Sequence, residues 1–197
     1  MLQISWTEVL GSLTGLVSVW LTVRNKVWCW FWGIMSVSLY VVVFWTERLY
    51  ADMGLQLVFI VMNAYGWYEW QQRHTTTGNV DNFSQSPSRS ITRIPHKYVL
   101  ISLACGAGIA IALLFFLQRF TDAVAPEMDS ALTATSLVAL WMQAKRYREH
   151  WLVWLVADIA YVGLFVSRQL WLTSALYLVF CGMALLGWRE WTKEMAE

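Results

Sequence analysis

Charge is what this 197-residue sequence has least of: Asp, Glu, Lys and Arg together make 14% of it, against 58% hydrophobic residues. So little charge on so apolar a chain excludes an ordinary soluble domain and predicts an integral membrane protein. The 14 basic and 13 acidic residues nearly cancel, and no nucleic-acid partner is expected. The three cysteines, Cys29, Cys105 and Cys181, sit at or inside apolar segments, so free thiols facing lipid or core are expected and no disulfide is implied. The three histidines, His74, His96 and His150, lie in polar segments or at helix ends. None has a second His, Cys or carboxylate at ligand spacing, which leaves a metal site or other cofactor without support. That placement also excludes a rhomboid-like protease, which needs a buried Ser beside a His. No lysine lies mid-segment to form a retinal Schiff base. No enzymatic activity is expected. The first apolar segment continues as a full span without the cleavage site of a secretory signal, so no cleavage is expected.

What is present is seven segments long and apolar enough to cross a bilayer: Ser5–Val23, Val27–Trp45, Leu49–Trp70, Tyr98–Leu117, Asp129–Ala144, Trp151–Ser167 and Leu170–Trp188. Pro87, Pro95 and Pro126 all fall in loops between them. Gln71–Lys97, rich in Ser, Thr, Asn, Gln and basic residues, reads as a solvated linker.

Thr7–Trp70 occurs twice. Shifted by 121 residues it lies over Met128–Trp191 without a gap, with 18 identities in 64 positions, where composition alone gives about five. The matches run from Thr14/Thr135 and Trp20/Trp141 through Trp30/Trp151, Tyr40/Tyr161 and Phe44/Phe165 to Gly66/Gly187, Trp67/Trp188, Glu69/Glu190 and Trp70/Trp191. Charge character also persists at Glu8/Asp129 and Arg24/Lys145. The expected organisation is a first three-helix repeat over 1–70, a polar cytoplasmic linker over 71–97, a linking span with its loop over 98–127, and a second repeat over 128–197. An odd-numbered unit inverts on duplication unless another crossing intervenes. The fourth segment, with Ala104-Cys105-Gly106-Ala107-Gly108 at its middle, supplies that crossing.

Counting basic residues orients the chain. With the amino terminus outside, the cytoplasmic side holds Arg24, Lys26, Arg73, Arg89, Arg93, Lys97, Lys145, Arg146, Arg148, Arg189 and Lys193, eleven against Arg48, Arg119 and Arg168. The positive-inside rule then predicts an outside amino terminus, a cytoplasmic carboxyl terminus and parallel repeats.

Charge inside a span is costly and marks function. Asp158 is the one such residue near mid-membrane, with Trp154 and Tyr161 a turn to either side on its face. The second span carries Trp32, Ser36 and Tyr40 on one face, suited to stack and hydrogen-bond a flat polar ligand. Gln56, Asn63, Trp67 and Trp70 share a stripe on the third span, matched by Tyr177, Ala184, Trp188 and Trp191 on the seventh. Bland alternatives stand beside these readings. The four tryptophans suit interfacial anchors, Gln56 and Asn63 suit helix–helix glue, and Asp158 suits a structural hydrogen bond. The candidate ligand set is Trp32, Ser36, Tyr40, Gln56, Asn63, Trp67, Trp154, Asp158, Tyr161 and Tyr177.

The run Asn63-Ala64-Tyr65-Gly66-Trp67-Tyr68-Glu69-Trp70, with Lys145-Arg146-Tyr147 followed by His150-Trp151-Leu152-Val153-Trp154, resembles the PnuC family of bacterial vitamin transporters over nearly the whole chain outside the linker. The resemblance implies an all-α, seven-helix fold of two parallel three-helix bundles, similar to the SWEET carriers, in a homotrimer. It also implies uptake of nicotinamide riboside across the bacterial inner membrane by facilitated diffusion, with trapping by a cytoplasmic kinase that feeds NAD biosynthesis. Relatives carry thiamine or riboflavin. Asp158 beside tryptophan faces suits the cationic rings of nicotinamide riboside and thiamine better than neutral riboflavin. The family pattern often has Asn near Ser36 and at Asp158, so the vitamin stays open at this point. A membrane sensor that binds without transporting is the alternative of another class. The chain ends six residues after Trp191, leaving no expected output module.

Overall fold

The computed structural model describes residues 6–46, 50–75, 91–121, 125–167, 169 and 171–196. It contains seven helices: α1 (Trp6–Val23), α2 (Cys29–Thr46), α3 (Tyr50–Thr75), α4 (His96–Phe120), α5 (Pro126–Ala144), α6 (His150–Ser167) and α7 (Trp171–Glu194). Most ends fall within three residues of the expected spans, whereas α3 and α7 run on to Thr75 and Glu194. Their last turns are built from strong helix formers such as Glu69, Gln71, Arg189 and Lys193, which continue the helix past the apolar stretch. Pro126 is not a loop residue but the first residue of α5. A missing N–H costs nothing there, because the first helical amides have no partner anyway. Glu127 and Asp129 follow in the first turn, where the helix dipole favours negative charge.

By length and hydropathy α2, α4 and α6 can each cross a membrane alone. The less apolar α5 is shielded instead: Ser130, Thr133, Ser136 and Gln143 are buried with Ala134, Ala139 and Leu140. Helix α1 packs on α2 and α2 on α3, α5 packs on α6 and α6 on α7, and α4 rests on α5. The halves meet where α1 touches α7 and α3 touches α5. Those two contacts are the same contact under the 121-residue shift.

The shift also governs the turns. After α1, Asn25 (φ 52°) adopts the left-handed conformation, the Lys26 amide donates to the Leu21 carbonyl and the Asn25 amide to that of Thr22. After α5, Arg146 (φ 58°) does the same, with Tyr147 donating to Met142 and Arg146 to Gln143. Both are Schellman caps. Asn tolerates this conformation readily, while Arg does so at a cost, so Arg146 must be held by what surrounds it.

The end of the linker is not simply solvated. Ile91 is buried and packs in the same cluster as Trp70, Trp151 and Trp191, and Thr92 bridges Tyr147 as a short parallel β-bridge. A branched apolar residue next to open backbone groups gains by docking there. Pro87 and most of the linker lie outside the described residues.

Candidate functional site

The end of the bundle that carries the α1–α2 and α5–α6 loops, with Lys145, Arg146 and Arg148, is called the basic end here. It is closed by a layer of aromatic rings. Trp30 meets Trp70 edge-on with centroids 5.4 Å apart, Trp151 meets Trp191 edge-on at 5.8 Å, and Trp70 and Trp191 face each other across the halves at 6.5 Å. Trp30 lies against Gly66 and Trp151 against Gly187, so closely that a Cβ on either glycine would run into the indole. The indole nitrogens of Trp70 and Trp191 donate reciprocally, to Ala144 O and Thr22 O of the opposite half, both at 3.1 Å. The repeat-equivalent Gln143 and Thr22 touch at 3.4 Å.

Basic side chains lock this layer. The Arg146 guanidinium lies 3.9 Å over the Trp70 ring and that of Arg148 4.0 Å over Trp188. Lys145 pairs with Glu69 at 3.1 Å. Burial alone would depress the Lys145 ammonium, but the Tyr65 hydroxyl and the Glu69 carboxylate outweigh it and hold the group above its ordinary range. His150, a helix-end residue, is fully buried between Trp151 and Trp191 at 4.5 and 4.6 Å. Its Nδ1 sits 2.8 Å from the Tyr147 carbonyl.

Away from this layer the bundle interior becomes polar. Asn63 lies seven residues before Trp70 on α3 and Asp158 seven residues after Trp151 on α6, so both stand about 10 Å from the aromatic layer. Asp158 is 6% exposed and has no hydrogen-bond or ion-pair partner among the described residues. Tyr161 lies one turn further along the same face of α6. Further from the layer, Tyr161 stacks on Phe165 at 5.9 Å and Tyr177 closes on both, at 4.8 and 5.2 Å. The repeat-equivalent Tyr40 stacks on Phe44 at 6.1 Å, and its hydroxyl bonds to Ser12 Oγ at 3.1 Å.

The candidate residues sort by neighbourhood. Asp158, Tyr161 and Tyr177 form one cluster. Tyr40 belongs to a second one, with Phe44 and Ser12. Ser36 donates to Gly11 O at 2.8 Å, which ties α2 to α1. Asn63 donates to Phe59 O of its own helix at 2.8 Å and presses its carbonyl oxygen against Gly33. Trp154 packs half-buried against the core of the aromatic layer. Trp32 meets Phe31 at 5.8 Å, and Trp67 meets Phe31 and the exposed Trp28 at 6.1 and 6.5 Å. Trp32 and Trp67 therefore belong to a rim outside the Asp158 cluster, and Gln56 is half-buried. Trp70 and Trp191 are neither interfacial anchors nor exposed ligand contacts, because both are fully buried where the halves meet.

Ser12, bonded to Tyr40, and Phe165, packed on Tyr161 and Tyr177, are members that the residue-by-residue reading passed over. The signal for Phe165 was present, since Tyr40/Phe44 and Tyr161/Phe165 are repeated pairs one helical turn apart. A separate cavity of about 520 Å³ lies between α4 and the α5/α6 pair, lined by Gly106, Ala107, Ala110, Ala134 and Val138. None of the candidate residues reaches it. No group of three or more His, Cys, Asp or Glu side chains able to hold a metal occurs among the described residues.

A seven-helix bundle with apolar helices able to cross a membrane, an interior carboxylate among tyrosines and a layer of edge-on rings closing one end fits a membrane transporter. Comparison with known proteins narrows the class. The chain belongs to the nicotinamide mononucleotide transporter family, whose model matches residues 5–193. It is 28% identical to the nicotinamide riboside transporter PnuC of Escherichia coli (strain K12) over 219 residues, covering 99% of this chain and 88% of that protein. It is 25% identical to the riboflavin/roseoflavin transporter RibM of Streptomyces davaonensis over 191 residues, covering 96% and 85%. The crystal structure of the vitamin B3 transporter PnuC shares its fold with a TM-score of 0.75 at 22% identity, covering 98% of this chain and 83% of that one.

Proposed function

We propose that this transporter carries nicotinamide riboside by facilitated diffusion through the interface of two parallel three-helix halves, arranged as in SWEET carriers and linked by α4. In this reading the halves are 1–70 and 128–197, the linker spans 71–97 and the linking helix with its loop 98–127. The basic end faces the cytoplasm of a bacterium, a kinase there traps the product as its phosphate for NAD synthesis, and three copies associate with one pathway each. The observation that carries the substrate is Asp158, a buried carboxylate without a protein partner beside Tyr161 and Tyr177. A buried carboxylate left alone is expensive, and a planar cation between aromatic faces offsets that cost. The nicotinamide ring of the riboside is such a cation.

Thiamine carries the same kind of charge and stays the second reading. Riboflavin, named for the Streptomyces relative, is neutral and leaves Asp158 unsatisfied. Uptake of labelled nicotinamide riboside, thiamine and riboflavin into proteoliposomes, with and without an enclosed kinase, decides among them. The expected outcome is saturable entry of the riboside that equilibrates without the kinase and accumulates as phosphate with it. Entry of thiamine alone moves the substrate to the second reading. Binding of the riboside without entry of any of the three makes the protein a sensor.

A further inference from the structure

The aromatic layer at the basic end is held by groups from both halves, and one more segment fastens it from below. Residues 91–94, the last part of the linker, lie along the α5–α6 loop. The Thr92 amide donates to the Arg146 carbonyl at 3.1 Å and the Arg148 amide returns a bond to the Thr92 carbonyl at 3.0 Å. The Ile94 amide donates to Glu149 Oε2 at 2.9 Å. These bonds grip the loop on either side of Tyr147, the loop that lays Arg146 on Trp70 and Lys145 on Glu69. At the head of the segment Ile91, 4% exposed, enters the cluster that contains Trp70, Trp151 and Trp191.

Among the described residues the equivalent α1–α2 loop has no such strand beside it. Its Asn25 side chain donates to Glu194 Oε1 at 2.7 Å in an exposed position, and its Trp28 meets Trp67. The fastening is therefore one-sided, on the half that bears Asp158.

The geometry points to residues 91–94 as a strap that keeps the basic end of the pathway shut and must release before that end opens. Its two backbone–backbone bonds and its bond to the Glu149 carboxylate are reversible, and Ile91 is the apolar button that seats it. While it is seated, Arg146 stays in its left-handed conformation over Trp70 and the halves cannot part there. Release frees the α5–α6 loop and removes the apolar wedge beneath the rings.

Two measurements on the full-length protein in lipid vesicles test this, and the first needs no substrate. Cys29, 1% exposed within the layer, is a native reporter of opening once Cys105 and Cys181 are replaced by alanine. In that background Ile91→Ala raises the rate of maleimide labelling at Cys29 about tenfold or more, because a buried branched side chain is lost from the closed state alone. An unchanged rate in a variant that remains monodisperse overturns the proposal. The second measurement joins the β-bridge partners as Thr92→Cys/Tyr147→Cys. Oxidation slows Cys29 labelling below the parent rate and stops riboside uptake, and reduction restores both, while neither single-cysteine variant responds. Uptake that continues through the crosslinked protein, or a pair that cannot be crosslinked, sinks the strap. Because the labelling arm is independent of what is carried, a wrong substrate and a wrong strap give different results.

Discussion

At the residue scale the charge of Asp158 decides most. Across about 5 Å at an effective dielectric of about 20, a carboxylate and a ring cation attract by roughly 3 kcal/mol before desolvation. Removing the charge while keeping the shape, as in Asp158→Asn, is expected to cost on the order of 1 to 2 kcal/mol of affinity, about tenfold or somewhat more. Calorimetric titration with nicotinamide riboside, alongside thermal unfolding, checks it. Unchanged affinity with lowered stability would place Asp158 in a structural role. This residue was legible in the sequence because a lone charge in an apolar run stands out from its neighbours. Asn63 was legible as polar but not as placed. Its approach to Gly33 depends on which neighbouring helix lacks a side chain, and helical spacing along one helix does not carry that information. Trp70 and Trp191 show the opposite failure. An indole near the end of a span reads as a membrane anchor, and only the meeting of two halves shows that both rings face inward.

Between elements, the repeat shows in paired turns and contacts as well as in identical residues. Asn25 and Arg146 share a conformation although they share no chemistry, and the α1–α7 and α3–α5 contacts correspond under the 121-residue shift. Spans and loops could be read from apolar runs and the repeat from its identities. The docking of Ile91 could not, because one branched residue inside a polar stretch has no periodicity to report. Where the side chains are kept, geometry demands them. Gly187 is pinned under the Trp151 indole and Gly66 under that of Trp30, whereas Gly182 on the same α7 has open space around it. Gly187→Ala is expected to lower stability by about 1 to 3 kcal/mol through overpacking. Gly182→Ala should leave it level or raise it slightly, since alanine is the better helix former. Thermal unfolding of the two variants in detergent compares them directly. Equal melting temperatures would mean that the glycine–indole contact is not tight in the membrane.

For the whole molecule the question is what drives transport. Carriers coupled to protons or sodium generally hold several carboxylates or broken helices at mid-depth. Here Asp158 is the carboxylate deep in a span, Pro95 and Pro126 stand at the starts of α4 and α5, and α2 and α6 run unbroken. Uniport is the mechanism proposed for such an interior, and because the proposed substrate is a cation its uniport would move charge. With the membrane potential clamped at zero, labelled nicotinamide riboside should reach equal concentrations inside and outside, whatever pH or sodium gradient is imposed. A potential of about 100 mV, negative inside, is worth roughly 2.3 kcal/mol per charge and should raise the interior level about fiftyfold at equilibrium. Vesicles loaded with potassium and treated with valinomycin set that potential without adding a coupling ion. Accumulation that follows the proton or sodium gradient at zero potential would establish coupling and end the uniport reading. Riboside transport indifferent to potential would mean that a proton leaves for each cation that enters, with Asp158 as the group that returns protonated, and the uniport reading would end there as well.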